Sequence, residues 1–391
     1  MMAGAMVTDY SSAIRTKAVL QAAADSAVLA AATAIASGQD DQSKTKIALD
    51  QFAANLPDRI KRNFLSEPQT VVNLPRKEVT LTATVDTKTY FGSLLKDIVS
   101  VKVLATAVVD RGTPICMLAL NPNVEKALYL NGTADVVALG CAVHVNSDHN
   151  KALVEDGTGF ATAEQFCVRG GYDGTGFTPL PTKGCFKEED PLAVKMAAAW
   201  ATVDTTCTVS HKTIIKADTT LAPGVYCGGV DIKKGTLTLQ EGGTYVFRDG
   251  PLEISAQGTL KGAKNAILFT GDSTTRLTAQ GGANIDISAQ TEGPFSGIAI
   301  AMHESVSPDQ VNLVTGGGYM SIDGIIYFPK QPLSIRGNGI IGEDTEQFAI
   351  IADTITIKGT GLLTIKITAE NDSYSDLPEL PKSLERVVLV K

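Results

Sequence analysis

From about Pro114 onward the chain is a succession of short apolar runs, most closed by glycine or a glycine-containing turn, with hardly any helical period between them. They begin as ICMLAL, ALYLNG, DVVALG, CAVHV, KALVEDG and QFCVRGGY. They resume as GVDI, TLTL, TYVF, LEIS, AILFTG, NIDISA, GIAIAM, YMSIDG, IIYFP, LSIRG, FAIIAD, TITIKG and LLTIKI. A β-sandwich spaces its turns about 8–12 residues apart. Here the turns come faster and the strands are shorter. Such a chain is expected to wind, each coil of strands stacking on the last, as a right-handed parallel β-helix or solenoid. The 36 glycines and the 6% aromatic content fit a fold of thin repeated turns rather than large aromatic clusters. The repeat is loose, and no strict unit such as a calcium-binding nonapeptide recurs.

The cysteines test this reading. Cys116, Cys141, Cys167, Cys185, Cys207 and Cys227 are even in number and none forms a C-x-x-C pair. Zinc sites usually draw ligands from such close pairs, so three disulfides in an oxidising compartment are expected. The steps from Cys116 to Cys141 and from Cys141 to Cys167 are 25 and 26 residues, a usual coil length of about 20–29. Cysteines at matching points on adjacent coils sit ~4.8 Å apart, inside the Cα range of ~4.4–6.8 Å for a disulfide. The pairs expected are Cys116–Cys141, Cys167–Cys185 and Cys207–Cys227. Other connectivities stay open on sequence alone.

The beginning of the chain obeys a different period. From Ser11 to Ala36 it is rich in alanine and free of Pro and Gly, which predicts a long helix, capped by Asp9 or Ser11 and ended by Gly38. Ile14, Ala18, Ala22, Leu29 and Ala32 fall on one face at helical spacing, and their small side chains allow close approach by neighbouring helices. A second helix is expected over 43–55. Met1 to Val7 is apolar and stops, so it reads as the last turns of a longer apolar helix whose beginning is missing. It is too short to span a bilayer and lacks signal-peptide features. Next, Val79, Leu81, Ala83 and Val85 alternate with threonines, and Val99, Val101, Val103, Ala105 and Ala107 form a second alternating run. The period of two predicts a small antiparallel strand pair beside the helix.

Three regions are therefore expected. Residues 1–112 form a helical and strand-pair region. Residues 113–370 form the disulfide-stapled β-helix, with a loop and helix link near 170–205. Residues 371–391 form a tail or cap, in which VVLV is expected as an edge strand or a capping segment.

The net charge of −8 and pI near 5.2 argue against a nucleic-acid partner. The 44% apolar content argues against disorder. Parallel β-helices also serve as scaffolds for enzymes that cut acidic polysaccharides. Such chemistry needs clustered carboxylates with basic partners, for which Asp231, Glu253, Asp286, Asp323, Arg248, Arg276 and Arg336 are the candidates. Their positions fit solvated coil edges better. Among His144, His149, His211 and His303, only the first two lie close together, and V-H-V places His144 in a strand. No G-x-S-x-G, P-loop or H-E-x-x-H motif occurs. The expectation is no enzyme, no metal and no cofactor.

The stretch MVTDYSSAIRTKAVLQAAADSAVLAAA resembles the N-terminal region of the TadE/TadG-like family of Flp (tight adherence) pilus-assembly proteins. The matching residues are Val7, Asp9, Tyr10, Leu20, Gln21, Ala22, Ala23, Ala24 and Asp25. The segments ICMLALNP, LGCAVHVNS, PGVYCGG and GTYVFRDGPL are similar to the long exterior region of TadG-type members. The resemblance implies a pilin-like N-terminal region that would continue a membrane helix, mostly absent here, and a cell-envelope location on the periplasmic or exterior side. It also implies partners among other Tad/Flp pilus components, met through the helix, with a surface or glycan as a possible further ligand. The metal-binding D-x-S-x-S of TadG members with a von Willebrand A domain is missing, so no metal is implied.

Overall fold

The structure is a computed structural model. It describes residues 2–36, 41–62, 64, 68–73, 78–88, 98–110, 113–315, 319–337, 340–342, 345, 347–366 and 386–390. The chain is mainly β and divides into two compact units, 1–112 with 384–391, and 113–383.

In the first unit, helix α1 (Met2–Ala36) is followed by α2 (Asp41–Ala54) and the short α3 (Asp58–Lys61). Strands β1 (Gln69–Asn73), β2 (Glu78–Lys88) and β3 (Ile98–Asp110) form an antiparallel sheet. Alanine's low helix cost and the absence of Pro let α1 run unbroken. Leu20, Ala23, Ala24, Ala27, Val28 and Ala31 of α1 are buried in one core with Phe52 of α2 and with Val79, Leu81, Ala83, Val85, Val101, Val103, Ala105 and Ala107 of the sheet. The alternation of the two expected strands is thus realised, each apolar residue entering the core every second position. Val99, at the strand end, remains exposed. On the other face Thr80 and Thr106 share a hydroxyl hydrogen bond of 3.1 Å.

The fourth strand of this sheet is Arg386–Val390, antiparallel to β3 with Asp110 opposite Arg386. Residues 371–391 were expected to be a tail or cap. Within them VVLV, expected as an edge strand or a capping segment, lies in the edge strand that completes the small sheet, and 367–385 lie outside the described residues. The physical reason is simple: VVLV has the β-branched composition that an edge needs, but sequence pattern does not say which sheet it joins.

The second unit contains a large sheet in which every described strand pairing is parallel. Its strands fall into three ladders. In order of stacking, the first ladder pairs 224–227 with 244–248, then 266–270, 298–302, 325–328, 348–352, 115–119, 142–145, 165–168 and 182–183. The second runs from 213–215 through 230–232, 252–254, 277–279, 312–315, 333–337, 355–359, 128–132 and 153–157 to 172–173. The third runs from 219–221 through 236–239, 259–262, 284–287, 319–322, 340–341, 362–366, 135–139 and 161–163 to 177–178. Equivalent positions one rung apart lie ~4.8 Å from each other, so like side chains stack. Tyr226, Phe247 and Phe269 form one such column, with ring centroids 6.1 and 5.5 Å apart.

The order of stacking differs from chain order. Each coil was expected to rest on the one before it. Instead the coils of 115–186 rest on 348–366, the last in sequence. At that seam Leu120 and Asn121 donate backbone hydrogen bonds to Ala352 and Asp353, and Ile355 to Ala127. The Asn121 amide adds bonds of 3.1 Å to both oxygens of Asp353. The short strands at 172–173, 177–178 and 182–183 complete the last rung. The connection therefore narrows to residues 186–206, a strap that returns along the first ladder to the opposite end of the stack. It contains helix α4 (Ala193–Trp200).

Candidate functional site

The expected helix face is split by the fold. Ile14, Ala18 and Ala22 are exposed, as is Tyr10 beside them. Leu29 is half-buried and Ala32 fully buried. The division follows α2, which lies against the C-terminal half of α1, where Gln51 and Asn55 both donate to the Ser26 hydroxyl. The core stripe of α1 is the opposite one, headed by Leu20 and Ala24. Gln21 marks the edge between the two, donating to Asp25 at 2.8 Å and to the Leu104 carbonyl at 3.0 Å. An uncovered face therefore extends from Tyr10 through Ile14 to the small residues Ala18 and Ala22. Among the described residues no helix is long and apolar enough to cross a membrane.

The six cysteines form the three expected pairs, Cys116–Cys141, Cys167–Cys185 and Cys207–Cys227, with Cα separations of 5.7, 5.9 and 5.7 Å. All three staple adjacent rungs of the first ladder. Two also clamp the strap, whose flanking residues are Cys185 and Cys207. The pairing thus fixes both ends of the one connection that bridges the stack, a role that spacing alone did not disclose.

Between these clamps the strap is tied down by buried polar groups. The Phe186 carbonyl accepts from His144 Nε2 at 3.1 Å, which sets the ring tautomer. Burial holds the His144 pKa down at about 4. Asn146 bonds both backbone groups of Glu188, each at 2.8 Å. The Tyr327 hydroxyl donates to Asp190 at 2.7 Å, and burial raises its pKa. Lys195 donates to the Ser296 carbonyl at 2.8 Å, and Arg248 to the Thr205 carbonyl at 2.8 Å. Trp200 stands edge-on to Phe295 and His303, with centroids 5.6 and 4.9 Å away. Strap and ladder enclose a cleft of about 390 Å³, within the size range of small-molecule sites.

The carboxylates weighed for glycan chemistry are placed elsewhere. Asp231 and Glu253 occupy adjacent rungs in register. Asp231 is buried and paired with Lys233 at 2.8 Å and Lys212 at 3.4 Å; Glu253 meets Lys212 at 2.9 Å and Arg276 at 3.9 Å. This is an ion-pair column that pairs the buried Asp231 through Oδ2, while its Oδ1 is buried without a hydrogen-bond partner. Asp286 is exposed near Lys261 at 3.9 Å, and Asp323 accepts from the Gln347 amide. Arg336 is turned onto Ser334. His144 and His149 are separately engaged, the latter accepting from the Lys151 amide; His211 is exposed and His303 bonds Ser305. No group of three or more His, Cys, Asp or Glu residues suited to a metal occurs among the described residues.

Comparison with known families gives one match. Residues 1–34 match the family described as putative Flp pilus-assembly TadE/G-like. The match coincides with α1 and includes the whole of its uncovered face. The likeness is confined to the N-terminal helix and covers 34 of the 391 residues. No curated protein matches the chain, and no solved structure does.

Proposed function

We propose that the chain is a structural component of the Flp/Tad pilus apparatus, a minor-pilin-like or assembly protein. The observation that carries this reading is the coincidence of the family match at 1–34 with a helix whose Tyr10–Ala22 face is left uncovered. Small residues on such a face let a second helix approach closely, and its backbone and side chains then bury the exposed Ile14. The partners are other Tad/Flp pilus components, met through α1.

The three parallel ladders are read as the faces of a right-handed β-helix stapled by disulfides. That unit would serve as a rigid rod for surface attachment or assembly. Disulfides at each end of the stack favour the periplasmic or exterior side of the inner membrane, with the helical region holding the chain there. The reading includes no catalysis, because Asp231 and Glu253 are neutralised in ion pairs. A photo-crosslinking residue at Ala18 tests the partner claim. Adducts with pilus components support it; adducts absent from Ala18 but formed from the ladder surface overturn it.

A further inference from the structure

We propose that the cleft under the strap binds an extended, amine-bearing saccharide chain. This goes beyond the assembly reading and stands on the geometry of residues 113–383. The floor of the cleft is built from the turns that follow five successive rungs of the first ladder, near residues 303, 329, 353, 121 and 146. Four rung steps make a groove roughly 19 Å long, the length of several sugar rings in line. Its far wall is the strap, clamped at both ends by disulfides. The site is therefore preformed and loses little freedom on binding.

The chemistry of the walls selects the ligand. Trp200 is held rigid by Phe295 and His303 at one end, and such a ring offers an apolar wall to the C–H groups of a sugar. Glu188 is half-buried, its backbone pinned by Asn146, and its carboxylate has no hydrogen-bond or ion-pair partner among the described residues. Glu304 and Asp353 face it from the ladder, and Lys330 supplies a donor beside Asp353. The free carboxylate of Glu188 is an acceptor for hydroxyl and ammonium groups, whereas Asp353 already accepts from the Asn121 amide. In total Glu188, Glu189, Asp190, Glu304 and Asp353 outnumber Lys187 and Lys330 along the cleft, and that excess repels carboxylated sugars. A peptide is disfavoured because the neighbouring ladder strands are already paired, leaving no backbone edge to extend.

Trp200 is the chain's single tryptophan, so its fluorescence reports on this groove. The test titrates the full chain with a tetramer of β-linked glucosamine, with cellotetraose, with tetragalacturonate and with tetralysine. The expected result is a saturable emission change with the glucosamine tetramer, binding about tenfold weaker for cellotetraose, and none for tetragalacturonate. Glu188→Gln, which leaves the backbone bonds to Asn146 intact, should weaken the glucosamine tetramer about tenfold. Trp200→Phe, followed by calorimetry, should weaken it as well. No saturable change up to about 10 mM overturns the proposal. So does equal binding of tetralysine or tetragalacturonate, or unchanged affinity in Glu188→Gln. A negative result leaves the assembly reading untouched, since that reading concerns α1.

Discussion

At the scale of single residues, two positions carry more than their neighbours. His144 is neutral in the fold, its pKa held at about 4 against an ordinary 6.5. Below pH 6.5 the unfolded chain takes up a proton that the folded chain refuses until about pH 4. Its contribution to stability is therefore complete above about pH 7 and is lost as pH falls through that window, by up to about 3 kcal/mol. Thermal melts between pH 7 and pH 4 should show this decline, and His144→Gln should flatten it. A parallel decline in the variant assigns the effect elsewhere. The second position is Gly132, stacked between Gly359 and Gly157 across the seam. Its φ is +97°, and an added Cβ would meet the Gly359 carbonyl oxygen at 2.5 Å. Gly132→Ala combines left-handed strain with a backbone clash that no side chain can relieve. It should cost about 3 kcal/mol or more in a denaturant melt.

At the scale of elements, the disulfides and α1 divide the labour. Cys207–Cys227 closes the first rung and the end of the strap, so Cys207→Ser with Cys227→Ser should lower stability by about 2–4 kcal/mol. Limited proteolysis should then cut first near 200–210; cutting elsewhere first contradicts the clamp. Stacking distance and disulfide geometry agree, which made rung-to-rung staples readable, while the choice among the possible pairings was not fixed by spacing. The strands of the first unit were readable from their period of two, and those of the second from short apolar runs closed by glycine. What α1 buries was less so. An alanine-rich helix presents small residues all round, and the positions of the sheet and α2 decided that Leu20 and Ala24 face inward while Ala18 and Ala22 stay uncovered. The cleft was unreadable, since Glu188, Trp200 and Glu304 meet only once the strap has crossed the rungs.

At the scale of the whole molecule, the stacking order is what pattern could not reveal. Each run announces a strand, but which rung it rests on is a non-local choice. The second unit is inserted between β3 and the final strand Arg386–Val390, which are neighbours in one sheet. A solenoid stacked in chain order would have its two termini at opposite ends. Here residues 115 and 366 both lie at the seam, so the insertion needs no long return path at its ends. Asn131 and Lys358 are in register across that seam. Asn131→Cys with Lys358→Cys should therefore form a fourth disulfide spontaneously, their Cα atoms being ~4.8 Å apart; two free thiols there would mean the coils stack in chain order instead.

The pilus role is tested most directly in cells that carry the gene. The chain is deleted, then restored as wild type or as Ala22→Glu, and Flp-type pili are counted by electron microscopy. We predict loss of pili on deletion, recovery with wild type, and no recovery with Ala22→Glu although that variant still folds and forms its disulfides. Pili unchanged in number in the deletion strain would contradict the account.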